Sequence, residues 1–156
     1  MIKIDIPAFG NLTLKNIVFD FNGTLAIDGK LIAAVTKHIL LLSEKLDIFV
    51  ITADTFGSVE KELAKLPVTL KIIPAHNQTE YKKNFIIELG KTNTIAVGNG
   101  NNDSLMLQEA KLGIAVLQKE GLSANTLKNA DLLCGNILDV FELLQNPQRL
   151  VASLRS

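Results

Sequence analysis

Apolar and polar positions alternate from the start of the chain. Ile2, Ile4 and Ile6 interleave with Lys3 and Asp5, the period of a half-buried strand. Pro7 and Gly10-Asn11 signal a turn, and Leu12-Thr13-Leu14 resumes the alternation, so a small hairpin is predicted. The pattern then changes. Ile17-Val18-Phe19 is a continuous apolar run that meets Asp20, and Phe21-Asn22-Gly23-Thr24-Leu25 follows. Such a run, closed by a turn signal, predicts a strand over 17–21 buried on both faces. Ile48-Phe49-Val50-Ile51 is a second, ending at Thr52. Thr94-Ile95-Ala96-Val97 is another, ending in Gly98-Asn99-Gly100-Asn101-Asn102-Asp103. Further strands are predicted over 68–73, 113–116 and 131–134, and short ones beside the turn at 27–30.

Helical spacing fills the intervals. Leu31, Val35, Ile39 and Leu42 predict a helix over 31–46. A helix over 56–66 follows, with Asp54 or Thr55 as cap and Pro67 as its stop. Others are expected over 79–89 with Gly90 as C-cap, over 103–110, from a Ser123 cap to about 129, and over 137–144 ahead of Asn146-Pro147. The tail at 149–155 reads as helical. Strands alternating with helices predict an α/β fold, a Rossmann-like doubly wound and mainly parallel sheet with helices on both faces. One domain over 1–156 is the expected organisation.

Composition adds boundaries. In 156 residues, 47% are hydrophobic, enough for a real core. Lys plus Arg and Asp plus Glu are 16 each. That balance argues against a nucleic-acid partner held by bulk charge. Cys134 is the one cysteine, which excludes an intrachain disulfide and fits a reducing compartment. The first residues do not read as a signal peptide, and no apolar run reaches the roughly 20 residues of a membrane helix. A cytoplasmic protein without a membrane partner is expected.

An aspartate at the end of a buried strand is costly without a partner. It is readily explained at the carboxyl edge of a parallel sheet, where α/β proteins place ligands. Neighbouring strand ends bring further polar groups to that edge: Asn22, Thr52, Asn99, Asn102 and Asp103, with Lys82 and Lys83 near the start of the helix over 79–89. A carboxylate, a hydroxyl, a cation and a second carboxylate suit phosphoryl transfer, which needs positioning and charge neutralisation. Asp20 and Asp103 together suit one Mg²⁺, a hard cation that prefers oxygen ligands. Taken singly, Asp20 also reads as a turn cap, Asp103 as a helix cap, and either lysine as a solvated charge. His38 and His76 lack ligand spacing. The Gly98-to-Asp103 run lacks the ending of a nucleotide-binding P-loop.

The four stretches Phe19-Asp20-Phe21-Asn22-Gly23-Thr24-Leu25, Val50-Ile51-Thr52, Lys82 on its helix, and Gly98-Asn99-Gly100-Asn101-Asn102-Asp103 occur in an order that resembles the haloacid dehalogenase-like superfamily. Within it, the chain is similar to the soluble P-type-ATPase-like phosphatases. Thr52-Ala53-Asp54 is similar to the Thr-Gly-Asp of cation pumps. The resemblance implies Asp20 as the nucleophile that becomes an aspartyl phosphate. It implies Gly23, Thr52, Ala53 and Lys82 around the phosphoryl group, and Mg²⁺ held by Asp20, Asp103 and the backbone carbonyl of Asn22, with Asn99 supporting the metal. Lys82 fits the pump spacing to Phe85, Leu89 and Gly90 better than Lys83, which stays the alternative.

Two departures from the family pattern bear on activity. Most phosphatases of the superfamily carry an acid at the position of Asn22. An amide cannot exchange a proton, and general acid–base help is worth about 10²–10⁴-fold. Asn99 stands where an acid usually supports the metal, which weakens Mg²⁺ binding. The spans 25–47 and 53–81 leave no room for a cap domain, which suits a macromolecular substrate or a site completed by another subunit in a homo-oligomer. The expected substrate is a phosphorylated small molecule or a phosphoprotein. The expected function is a slow Mg²⁺-dependent phosphohydrolase. The alternative is a non-catalytic phosphate-binding or partner-binding regulatory module on the same fold.

Overall fold

The computed structural model of the protein describes residues 1–54 and 57–156. The opening alternation forms a hairpin, β1 (Ile2–Ile6) antiparallel to β2 (Gly10–Leu14). Its apolar side is buried beneath the final helix. The continuous apolar runs form the centre of a parallel sheet. In chain order its strands are β3 (Asn16–Asp20), then, after the two-residue pair β4 (Ala26–Ile27) and β5 (Lys30–Leu31), β6 (Asp47–Thr52), β7 (Thr69–Ile72), β8 (Thr94–Gly98), β9 (Leu112–Val116) and β10 (Leu132–Cys134). The six strands lie in the order β10-β9-β8-β3-β6-β7, all parallel.

The helices are α1 (Val35–Ser43), α2 (Ser58–Leu63), α3 (Gln78–Leu89), α4 (Ser104–Glu109), α5 (Ala124–Lys128), α6 (Ile137–Gln145) and α7 (Pro147–Leu154). Strand side chains alternate between faces. Ile17, Phe19, Val50, Ile95, Val97 and Ile114 join the core shared with α1, α2, α6 and the N-terminal hairpin. Val18, Ile51, Ala96 and Ala115 join the core under α3 and α4 with Ile86, Met106 and Leu107. Both faces are thus buried, which is why the central strands read as continuous apolar runs.

The chain builds outward from β3 to β6 and β7, then returns over the sheet through α3 to β8 on the other side of β3. The switch therefore falls between β3 and β8, the place where open α/β sheets form a crevice at their carboxyl ends.

Several boundaries differ from expectation for local reasons. The helix expected from 31 begins at Val35, because Leu31 pairs with Ala26 in the short hairpin and Ala34 adopts a left-handed φ of 70°. The strand expected over 68–73 is Thr69–Ile72. The helix expected from 103 is preceded by a tight 3-10 turn, Asn101–Asp103. Ser123 sits at the N-cap position of α5, but its hydroxyl bonds Asn101 Oδ1 at 3.4 Å instead of a helix amide. Asp54 Oδ2 accepts from Val59 N at 3.3 Å, so it bonds the first turn of α2. Thr55, the other proposed cap, lies outside the described residues, as does the start expected at Phe56. The tail is a helix from Pro147, whose missing N–H suits a first turn.

Candidate active site

Asp20 is the last residue of β3 and shares the face of Val18, the face covered by α3. On α3, Lys82 lies one turn before the buried Ile86 and so on the same stripe. These two periodicities bring the side chains together. Lys82 Nζ donates to Asp20 Oδ1 at 2.7 Å and to Asp103 Oδ1 at 2.6 Å. Asp20 is 8% exposed, Lys82 1% and Asp103 0%. Lys83, one residue on, points outward and pairs with Glu80 at 3.7 Å. The helix rotation of about 100° per residue separates the two lysines completely.

Asp103 is fixed at both oxygens. Its Oδ2 accepts the backbone N–H of Asn99 at 3.0 Å and of Gly100 at 2.9 Å, while Oδ1 faces Lys82. The chain can close so tightly only because Gly98 has no side chain. A Cβ there would stand 2.5 Å from Asp103 Cγ. Asp103 therefore caps the loop after β8 as well as meeting the lysine.

The turn after β3 is equally close-packed. Phe21 O accepts from Thr24, Leu25 and Ala26 N at 3.2, 3.0 and 3.0 Å, and Gly23 N donates to Ala26 O at 2.7 Å. Gly23 has φ of +83°, and a Cβ on it would lie 2.3 Å from the Asn99 amide. Asn99 links two loops: its Oδ1 accepts from Thr24 Oγ1 at 3.2 Å and its Nδ2 donates to Gly121 O at 3.0 Å. Asn22 is exposed at the mouth. Thr52, at the end of β6, is buried beside Ala53.

Asp20, Asn22, Thr52, Ala53, Lys82 and Asn99 share a cavity of about 190 Å³ with Gly100, Asn102 and Gln78. Gln78 was not among the residues expected at the site. Its Oε1 accepts from Asn102 Nδ2 at 2.6 Å, joining the start of α3 to the loop after β8. The available signal was its position four residues before Lys82, on the same helical face. Gln118, beyond β9, was also missed: its amide reaches the carbonyls of Gly23 and Thr24.

The electrostatics follow from burial. Desolvation, reinforced by the Asp103 carboxylate, pushes the Asp20 carboxyl up from 3.8 to about 7, against the pull of Lys82. Burial works to lower Lys82, but Asp20 and Asp103 more than offset it and hold the ammonium above its usual range. Two carboxylates around one ammonium leave an excess negative charge, which a cation can meet. Among the described residues, no group of three or more His, Cys, Asp or Glu side chains could hold a metal. The available donors are thus hard oxygens, two carboxylates with backbone carbonyls and water, the set that suits Mg²⁺.

A family model described as haloacid dehalogenase-like hydrolase matches residues 79–134. An uncharacterized protein of Methanocaldococcus jannaschii is 42% identical over 78 residues, covering 47% of this chain and 84% of that protein. The soluble P-type ATPase-like phosphatase of the same organism is 28% identical over 123 residues, covering 77% of this chain but 45% of that protein. Among solved structures, 3-deoxy-D-manno-octulosonate 8-phosphate phosphatase from Moraxella catarrhalis, in complex with magnesium ion, phosphate ion and the sugar acid, superposes with a TM-score of 0.67 at 19% identity, covering 92% of this chain and 94% of that one. Among the described residues, no helix is long and apolar enough to cross a membrane. The fold, the relatives and the family match agree on a haloacid dehalogenase-like hydrolase, and the chain is similar to a soluble P-type ATPase-like phosphatase.

Proposed function

We propose that the protein is a Mg²⁺-dependent phosphohydrolase that works through an aspartyl phosphate on Asp20, with a slow second half-reaction. The observation that carries this reading is the Lys82 ammonium buried between Asp20 and Asp103 at 2.7 and 2.6 Å. In the first half-reaction a carboxylate oxygen of Asp20 bonds to the phosphorus of a phosphomonoester. The bond from phosphorus to the leaving oxygen breaks, and the alkoxide takes its proton from solvent. In the second, a water oxygen bonds to phosphorus, the bond to Asp20 breaks, and inorganic phosphate leaves while the water gives up a proton to bulk solvent. Lys82 offsets negative charge on Asp20 and on the entering phosphoryl oxygens. Thr52 and Ala53 line the space the phosphoryl group would take, and Gly23 lies in the adjoining turn.

Asp20, Asp103 and the backbone carbonyl of Asn22 would hold Mg²⁺, which when bound neutralises phosphoryl charge. Asn99 has its side-chain amide engaged with Thr24 and Gly121, so its part is to tie the loops together as well as to line the site. Asn22 is exposed at the mouth and as an amide can neither protonate the leaving group nor activate water. That deficit is worth about 10²–10⁴-fold and falls most heavily on hydrolysis of the aspartyl phosphate. The substrate class is a phosphorylated small molecule or a phosphoprotein. The Moraxella phosphatase favours the former. The elements between β3 and α3 are only one short hairpin, two helices and the two sheet strands β6 and β7 among the described residues, which leaves the mouth open to either.

The test is phosphate release from 4-nitrophenyl phosphate with and without Mg²⁺, wild type against Asp20→Asn. Release that needs both Mg²⁺ and Asp20 supports the reading, and equal rates in the two proteins refute it. The exposed amide at position 22 favours a second reading, a phosphate-holding regulatory module. It would show Mg²⁺-dependent binding of beryllium fluoride at Asp20 without turnover.

A further inference from the structure

The proposed chemistry needs the turn at 22–24 to sit at a fixed height beside Asp20, and β3 secures only one end of it. The amides of Gly23 and Thr24 are satisfied locally: Ala26 O takes the Gly23 N–H, and Phe21 O takes that of Thr24 together with those of Leu25 and Ala26. The carbonyls of Gly23 and Thr24 face the other way, toward the loop after β9. There the side chain of Gln118 meets them. Its Nε2 donates to Gly23 O at 3.0 Å and to Thr24 O at 2.9 Å, and its Oε1 accepts from Ile137 N, in the first turn of α6, at 2.8 Å. A primary amide has two donor hydrogens and one carbonyl, and here each finds a separate backbone partner.

The platform under Gln118 is itself held. Leu117 N donates to Cys134 O at 3.0 Å, continuing the β9–β10 pairing, and Gly121 N donates to Gln118 O at 2.9 Å. A second path reaches the turn from the same loop, from Gly121 O through the Asn99 amide to the Thr24 hydroxyl. The turn carrying Asn22 is therefore gripped from β9, two strands away from β3.

The geometry points to Gln118 as the positioning residue of the site: it grips the Gly23–Thr24 and Thr24–Leu25 peptides, and through them it holds the neighbouring Asn22 carbonyl beside Asp20 and so sets how tightly the site holds Mg²⁺. This rests on the metal-dependent reading above. Gln118 touches neither Asp20 nor the cavity. Its effect passes through the backbone, as partners of metal-binding groups act, whose loss commonly costs about 10–100-fold in metal affinity.

Two variants separate the donors from the acceptor. Gln118→Met keeps the length and loses all three bonds. Gln118→Glu keeps an acceptor for Ile137 N and sets a carboxylate against two carbonyls. The first readout is amide hydrogen exchange in the metal-free protein, which needs no activity. Exchange at residues 24–26 is expected to quicken about tenfold or more in both variants, while the amides of β8 stay as in the wild type. The second is Mg²⁺ binding by calorimetry, expected to weaken about tenfold or more in both. Unchanged exchange at 24–26 overturns the proposal. So does faster exchange with unchanged Mg²⁺ affinity, which makes Gln118 merely structural, or a Gln118→Glu protein that matches the wild type. A wild type that binds no Mg²⁺ sinks the metal-dependent reading itself, a result distinct from any difference between variant and parent.

Discussion

Lys82→Met is the perturbation that bears most directly on the buried charges. Methionine retains nearly the length of the lysine stem, so the packing of α3 on the sheet is largely kept. What is lost is the ammonium lying 2.7 and 2.6 Å from two carboxylates that are 8% and 0% exposed. Removing one partner of a buried pair costs about 3–5 kcal/mol, because the remaining charge stays desolvated and unpaired. Against a total stability of about 5–15 kcal/mol, that loss is large. It also depends on pH. Asp20 already titrates near 7, above its unfolded 3.8. The folded state thus binds more protons than the unfolded one, and wild-type stability falls as pH rises from about 4 to 7. Without Lys82 the Asp20 carboxyl loses the pull that opposes burial and is pushed higher still, so the fall is steeper and extends further. Urea unfolding without divalent cations is expected to show a gap between wild type and variant of about 3–5 kcal/mol at pH 8, shrinking at pH 5 as Asp20 takes up a proton. Lys83→Met, on an exposed pair, is expected to change stability by less than about 0.5 kcal/mol. A Lys82→Met gap below about 1 kcal/mol at pH 8, the size of a surface pair, or one equal at both pH values, would refute the reasoning.

Asn22→Asp supplies the missing acid at the mouth and is expected to raise steady-state turnover, by up to about 10²–10⁴-fold if breakdown limits the rate. Single-turnover kinetics checks this, and an unchanged breakdown rate speaks against Asn22 as the bottleneck. Gly23→Ala places a Cβ 2.3 Å from the Asn99 amide at φ +83°. A loss of about 1–3 kcal/mol is expected in urea unfolding, with Gly29→Ala as the comparison, because nothing lies within 4 Å of a Cβ there. Burial, with Asp139 adding to it, pushes the Cys134 thiol up to about 11, so alkylation by iodoacetamide is expected to stay slow at pH 8 and to accelerate only as pH nears 11. Fast modification at pH 8 in the folded protein would contradict that placement.

The architecture was legible because the central strands carry unusually plain signals. Ile17-Val18-Phe19, Ile48-Phe49-Val50-Ile51 and Ile95-Ala96-Val97 are apolar at every position because each is covered on both faces. Ends were less legible where tertiary pairing overrode local periodicity. Leu31 fits the helical stripe of α1 but is taken by the pairing with Ala26. At the site, Asp20, Thr52 and Asp103 were traceable from strand ends, while Lys82 was set above Lys83 only by the resemblance to the pump spacing, and the structure brings the four into contact or into one cavity. Gln78 and Gln118 were not. Glutamine has no strong positional signature, and their partners, Asn102 and the Gly23 and Thr24 carbonyls, lie 24, 95 and 94 residues away. Only the folded chain puts them together. The double role of Asn99, amide to Thr24 and Gly121, was hidden for the same reason.

The central claim is that Asp20 accepts a phosphoryl group. The direct measurement is intact-protein mass after incubation with 4-nitrophenyl phosphate and Mg²⁺ and an acid quench, followed by peptide mapping. The account predicts one phosphoryl group, labile to hydroxylamine and mapped to Asp20, which accumulates because breakdown is slow and is absent from Asp20→Asn. Phosphate release without any adduct, proceeding equally in wild type and Asp20→Asn, would contradict it.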